Sequence, residues 1–180
     1  MLCAQSIDKK RFYMSIQFNE QQMTECKRLV ARYPEDKQKS ALLPVLHLAQ
    51  ESFDGWLSTE TMDYVASLLS IEPIEVYEVA SFYSMYNLKP VGKFVFEVCQ
   101  TGPCMISGSD NIITYIQQQL DIKPGETTKD GIFTLKLVEC LGACGYAPMM
   151  QVGKIYKEHL TKEKVDAIIT EYRSQAAAKN

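Results

Sequence analysis

The sequence predicts a small helical bundle over residues 1–90, followed by an α/β domain with a mixed sheet over residues 91–180. Three observations carry this. Apolar residues recur at a period of about 3.6 between Asn19 and Asn87. Beyond Lys89-Pro90 the period falls to about 2. The second half then reads strand, helix, strand, hairpin, helix, an order in which the first crossover implies a parallel pair of strands.

Taken in order, Asn19 suits an N-cap with Gln22 at the capping-box position, and Met23, Cys26, Val30 and Tyr33 share one face before Pro34 stops the run. A second helix starts between Ser40 and Pro44, with a stripe of Leu42, Val45, Leu46 and Ala49 that ends before Gly55. Pro44 is tolerable there because it falls in the first turn. Met62, Val65, Ala66 and Leu69 mark a third helix after a Ser58 or Thr59 cap, and Val76, Val79, Ala80 and Tyr83 a fourth after Pro73. Short loops between four amphipathic segments suit a bundle. "KFVFEV" then alternates Phe94, Phe96 and Val98 against Val95 and Glu97, and "IFTLKLVE" is rich in strand formers. Between them Ile112, Ile113, Ile116 and Leu120 line a helix. "PMMQV" and "KIYKEHL" flank Gly153 as a tight hairpin, Thr161 caps a last helix carrying Val165, Ile168, Ile169 and Tyr172, and the tail "SQAAAKN" reads as frayed.

Composition excludes several classes. At 180 residues, 46% hydrophobic and 23% charged, the chain is ordinary for a globular protein and long enough to fold without disulfides. The net charge of −3 with scattered lysines and arginines lacks the basic footprint that nucleic acid requires. No apolar stretch approaches the roughly 18 residues of a membrane span, and the N-terminus lacks the pattern of a signal or transit peptide, so the chain reads as cytoplasmic. In a reducing compartment its six cysteines point to metal or catalysis before disulfides.

Four of them stand in two close pairs. "EVCQTGPCMISGSD" holds Cys99 and Cys104, "VECLGACGYAP" holds Cys140 and Cys144, and each pair directly follows a predicted strand. If those strands are parallel neighbours, both pairs open on the sheet edge where α/β folds generally place their ligands. Five steps of extended chain would separate Cys99 from Cys104 by about 17 Å, so the chain must turn back. Gly102 and Gly142 supply positive φ for such turns and let backbone amides approach sulfur. Four thiols suit a structural zinc or an iron–sulfur cluster. Gaps of four and three residues depart from the two-residue knuckle common in zinc sites, and plant-type [2Fe–2S] spacing also begins with a four-residue gap. Spacing therefore favours [2Fe–2S] while leaving zinc and a disulfide open.

Three stretches make the resemblance specific: "SALLPVLHLAQESFDGWLS", "VYEVASFYSMYNLKPVGKFVFEVCQTGPCMISGSD" and "VECLGACGYAPMMQV". Across most of residues 40–153 the sequence resembles the 24-kDa-type subunit of NADH:quinone oxidoreductase, respiratory complex I. The resemblance implies a thioredoxin-like [2Fe–2S] ferredoxin domain behind a helical segment, with Cys99, Cys104, Cys140 and Cys144 as the ligands of one cluster. It also implies partners: the flavin-containing NADH-binding subunit, which would carry FMN and NADH, and other subunits of the peripheral arm. The setting implied is the cytoplasmic face of a bacterial inner membrane, reached through the complex and without membrane insertion. Relatives in NAD-linked hydrogenases and formate dehydrogenases are an alternative. The chain has no Gly-rich dinucleotide fingerprint of its own, so NADH is expected to bind elsewhere. Cys99 with Cys104 would hold one iron, and Cys140 with Cys144 the other.

Other residues have plainer readings. Cys26 lies on an apolar stripe as a core thiol, Cys3 is incidental, and His47 and His159 are packing or surface residues. Ser107, Ser109 and Asp110 are read as capping the helix after Gly108. Pro148 is expected to be trans on base rates. Met149 and Met150 could shield a cluster or pack under a strand. Phe82, Tyr83 and Tyr86 are read as packing between the helices and the sheet, with part of a partner interface as the alternative, and "EDKQKS" as a solvated connection. Two further functions compete with electron transfer. A zinc-stabilised adaptor would be colourless, and a thiol–disulfide enzyme would want a Cys-x-x-Cys pair that this sequence lacks.

Overall fold

The structure, a computed structural model, describes residues 16–178; Cys3 lies outside them. The chain divides after Pro90 into two compact units.

The first unit contains α1 (Glu20–Val30), α2 (Leu42–Ser52), α3 (Thr59–Leu69) and α4 (Pro73–Phe82). The capping box of α1 forms in both directions: Gln22 N–H donates to the Asn19 side chain at 2.9 Å, and Asn19 N–H to the Gln22 side chain at 2.8 Å. That helix stops at Val30, before Pro34, and buries Cys26 and Leu29 while Tyr33 is exposed. Ser58 caps α3 and Pro73 opens α4. Leu42, Val45, Leu46 and Ala49 of α2 are buried against Val65, Ala66 and Leu69 of α3 and Val76 and Ala80 of α4. Each of the larger aliphatic side chains contributes about 1.5–3 kcal/mol by leaving water. The expected aromatic trio splits. Tyr86 is buried and donates its hydroxyl to the Leu43 carbonyl at 2.9 Å, whereas Phe82 is 80% exposed and Tyr83 also reaches solvent. The helical period ends at Phe82, so Tyr83 no longer follows the buried stripe of α4. Within "EDKQKS" the last residues enter a 3-10 turn at Gln38–Ala41, and Lys39 pairs with Glu75 at 2.6 Å.

The second unit contains β1 (Phe94–Cys99), α5 (Gly102–Ile106), α6 (Ser109–Leu120), β2 (Phe133–Val138), β3 (Met150–Val152), β4 (Ile155–Lys157) and α7 (Lys162–Ala178). The sheet order is β2-β1-β3-β4. Strands β1 and β2 are parallel, with Cys99 opposite Val138, while β3 runs antiparallel to both β1 and β4. Phe96, Val98, Phe133, Leu135 and Met150 build one core with Ile112 and Ile116 of α6 and Val165 and Ile168 of α7. Gly92 precedes β1 where a Cβ would lie 2.9 Å from the Ile132 backbone, so the close approach of the two chains needs a glycine.

Several expectations change here. The turn at "QTGP" is the start of a helix, α5, with Pro103 in its first turn, where the missing N–H costs nothing. Gly102 opens that helix and is not among the residues of positive φ. The helix reverses the chain, so no left-handed turn is needed there. Ser107, Ser109 and Asp110 do not cap α6 through their side chains; Gly108, at φ +92, is its N-cap. Ser109 is fully buried, its hydroxyl without a partner among the described residues, and Asp110 sits in the first turn where the helix dipole favours an anion. The bond Ala147–Pro148 is cis; X–Pro bonds prefer trans by only about 0.5–1 kcal/mol, so local packing can reverse the base rate. Helix α7 continues to Ala178, through most of the tail that composition reads as frayed.

Candidate metal centre

The parallel pairing of β1 and β2 brings the two cysteine motifs to one edge of the sheet. Cys99 ends β1, and Cys140 follows β2 two residues beyond the partner of Cys99. Helix α5 turns the chain back and returns Cys104, while a 3-10 turn at Cys144–Tyr146 returns Cys144. Cys99 and Cys104 are each 2% exposed; Cys140 and Cys144 face solvent. All five cysteines among the described residues are free thiols.

The thiols meet in two pairs. Within each pair one thiol acts on the other's proton: Cys99 pushes Cys104 up, and Cys140 pushes Cys144 up. The pairs also sense each other, since charge on Cys144 acts on Cys104 and charge on Cys99 acts on Cys144. Burial pushes the Cys99 thiol up, but the Thr101 hydroxyl, the amides of Thr101 and Leu141, and Cys104 together bring it below the usual thiol value. Burial and the neighbouring Cys99 push Cys104 up to about 11. The neighbouring Cys140 pushes Cys144 up as well. Cys104 and Cys144 thus hold their protons more tightly than ordinary thiols.

Backbone and second-layer groups hold this arrangement. Gly142 has φ +76, and its N–H donates to the Cys140 sulfur at 3.3 Å. The Thr101 hydroxyl lies 3.3 Å from the Cys99 sulfur. Tyr156 of β4 donates to the Leu141 carbonyl at 2.7 Å, tying the loop that carries Cys140 back to the hairpin. Met149, 1% exposed, packs against Cys99 and Cys104, whereas Met150 belongs to the sheet core, as the strand-packing reading expects for one of the two. Sequence reasoning missed Thr101 and Tyr156. The first was hidden because α5 was read as a turn, and the second because its bond spans 15 residues of sequence.

Neither histidine joins the thiols as a ligand. His47 packs on Tyr86 in the helical unit, and the His159 ring meets Tyr146 edge-on at 5.8 Å. Cys26 is a buried core thiol whose proton is held more tightly by burial. Among the described residues no three His, Cys, Asp or Glu side chains surround a point suited to a single metal ion. By donor chemistry alone, four thiols are a set that an iron–sulfur cluster takes.

Residues 26–173 match the family described as thioredoxin-like [2Fe–2S] ferredoxin. The chain is 41% identical over 162 residues to an NADH-quinone oxidoreductase subunit of Rickettsia prowazekii (strain Madrid E), covering 90% of this chain and 92% of that one. It is 44% identical over 155 residues to the like-named subunit of Rickettsia felis (strain ATCC VR-1525 / URRWXCal2), covering 86% and 93%. A mitochondrial NADH dehydrogenase [ubiquinone] flavoprotein 2 of Dictyostelium discoideum is 41% identical over 90% of this chain and 66% of its own length. Among solved structures, that of an NAD+-reducing [NiFe]-hydrogenase in the air-oxidised state superposes with a TM-score of 0.64 at 22% identity, over 74% of this chain and 23% of that one. That likeness is one of fold.

Proposed function

The chain belongs to the thioredoxin-like [2Fe–2S] ferredoxin family, and we propose that it is the electron-transfer subunit of an NADH-quinone oxidoreductase, respiratory complex I. It carries one [2Fe–2S] cluster and works in a complex with NADH-oxidising subunits. In this reading Cys99 and Cys104 hold one iron and Cys140 and Cys144 the other. The observation that supports the ligand set is the meeting of two dithiol pairs at the ends of two parallel strands.

When bound, the cluster supplies a one-electron couple. The chain's own residues prepare the place for it. Strands β1 and β2 fix Cys99 and Cys140, helix α5 fixes Cys104, and Gly142 directs an amide at the Cys140 sulfur. Met149 covers Cys99 and Cys104, keeping water from that side. Cys104 and Cys144, which hold their protons more tightly than ordinary thiols, must give them up as metal binds.

A hydride brings two electrons, which a one-electron centre cannot accept together; NADH is therefore oxidised on a neighbouring subunit whose flavin passes single electrons onward. We assign that neighbour as the flavin-containing NADH-binding subunit, bearing FMN and NADH. Among the described residues no helix is long and apolar enough to cross a membrane. Contact with the cytoplasmic face of a bacterial inner membrane, in this proposal, is made through the rest of the complex.

A tagged copy replacing the native chain in its host should bring down a flavin-containing, NADH-oxidising complex with iron on this subunit. Recovery of a hydrogenase or formate dehydrogenase would assign it to that diaphorase role instead. Recovery of the chain with zinc and no flavoprotein would refute electron transfer.

A further inference from the structure

We infer that Thr101 is a positioning residue that raises the reduction potential of the cluster, its hydroxyl donating a hydrogen bond to the sulfur of Cys99. This rests on the [2Fe–2S] reading and concerns a residue outside the ligand set.

Two independent features of the geometry point to it. The Thr101 Oγ1 lies 3.3 Å from the Cys99 Sγ, and Cys99 is only 2% exposed, so water has little access to compete for that sulfur. Thr101 is also the N-cap residue of α5, with extended backbone at φ −89 and ψ 164, yet its side chain makes no capping bond. A threonine at an N-cap ordinarily accepts from the second or third helical N–H. Here the second helical residue is Pro103, which has no N–H to give. The hydroxyl faces the sulfur instead, while the Thr101 carbonyl still accepts from Met105 N–H at 3.0 Å and secures the helix.

Between two protonated groups either the thiol or the hydroxyl can donate. Once Cys99 is a thiolate ligand it has no proton, and the hydroxyl becomes the donor. The amides of Thr101 and Leu141 approach the same sulfur. Thr101 adds a side-chain donor to these backbone ones, and it is the donor that substitution can remove without altering the chain path. Reduction adds one negative charge, shared with the sulfurs, so a donor aimed at sulfur stabilises the reduced form more than the oxidised form. In a buried setting that preference is stronger than in water.

The test compares the full-length chain with T101V, T101S and T101A, each expressed with iron and purified anaerobically. Iron and acid-labile sulfide per chain are measured first, and the midpoint potential is then read by titration followed by electron paramagnetic resonance. T101V keeps the shape of threonine and removes the donor. It should lower the equilibrium constant for reduction by about tenfold, which is 59 mV for a one-electron couple. T101A should move the same way, and T101S should return most of the shift with cluster content unchanged. Loaded T101V and T101A with the wild-type midpoint would overturn the inference. So would equal shifts in T101S and T101V, which would mark a packing effect. If only the hydroxyl-bearing variants take up a cluster, the hydroxyl serves assembly and the potential-setting role is lost. A wild-type chain with no cluster would instead sink the [2Fe–2S] reading itself.

Discussion

Replacing Gly142 with alanine tests how the second cysteine pair is held. Gly142 sits at φ +76 in the loop between Cys140 and Cys144, and a Cβ built there meets no atom within 4 Å. Sterics with the surroundings therefore contribute nothing, and the penalty is that of placing an L-residue in the left-handed region, about 1–2 kcal/mol. The Gly142 N–H donates to the Cys140 sulfur at 3.3 Å, so a loop that relaxes away from positive φ also withdraws that donor. The loop is largely exposed. The cost should therefore fall on cluster retention, where about 1–2 kcal/mol corresponds to a factor of roughly 5–30. The assay is the loss of visible absorbance from the cluster-loaded chain at equilibrium with a competing iron chelator. G142A should need roughly 5–30 times less chelator than wild type. G142N should fall between the two, because asparagine tolerates the left-handed region better than alanine. A G142A chain that retains its cluster like wild type, or a G142N chain that retains less than G142A, would refute the reasoning.

Four further outcomes follow from the same geometry. Phe96 is fully buried at the centre of the sheet core, so F96A should cost about 3–5 kcal/mol in urea unfolding of the second unit. Y86F removes the hydroxyl bond to Leu43 and should cost about 1 kcal/mol, whereas F82A, at a surface position, should stay within about 0.5 kcal/mol of wild type in the same measurement. Metal binding requires thiolates, and Cys104 and Cys144 both hold their protons above the ordinary thiol range. Cluster retention should thus fall steadily as pH drops from about 9 to 6, with proton release on reconstitution; flat retention would contradict this. Lys136 and Glu97 form a half-buried pair across β1 and β2 at 3.8 Å. K136M alone should destabilise the apoprotein, and adding E97M should recover about 0.5–3 kcal/mol, read as the coupling in a denaturation cycle.

Much of the fold was legible because its signals are local and periodic. The four helices of the first unit announced themselves by stripes such as Leu42, Val45, Leu46 and Ala49, all buried as expected. Alternation at Phe94, Phe96 and Val98, and the helix between two strands, pointed to the parallel pairing of β1 with β2. That pairing in turn placed both cysteine motifs on one sheet edge. Helix α5 escaped detection because five residues are too few to show a period, and "TGP" reads equally well as a turn. The fate of Phe82, Tyr83 and Tyr86 escaped because aromatic residues within five positions look alike in sequence. Only the end of α4 at Phe82 decides which of them turns inward. The hydroxyl of Thr101 and the bond from Tyr156 to Leu141 depend on side-chain direction and on contacts across the chain, which spacing does not encode.

The most direct test of the central claim is electron paramagnetic resonance of the anaerobically purified, full-length chain before and after dithionite reduction, with iron and zinc analysis of the same sample and of single Cys→Ser variants. The account predicts a silent oxidised protein and an S = 1/2 signal on reduction, with about two irons per chain. Signal or iron should be lost or altered on substitution of Cys99, Cys104, Cys140 or Cys144 but not of Cys26. Stoichiometric zinc with no signal, or a cluster indifferent to those four substitutions, would contradict it.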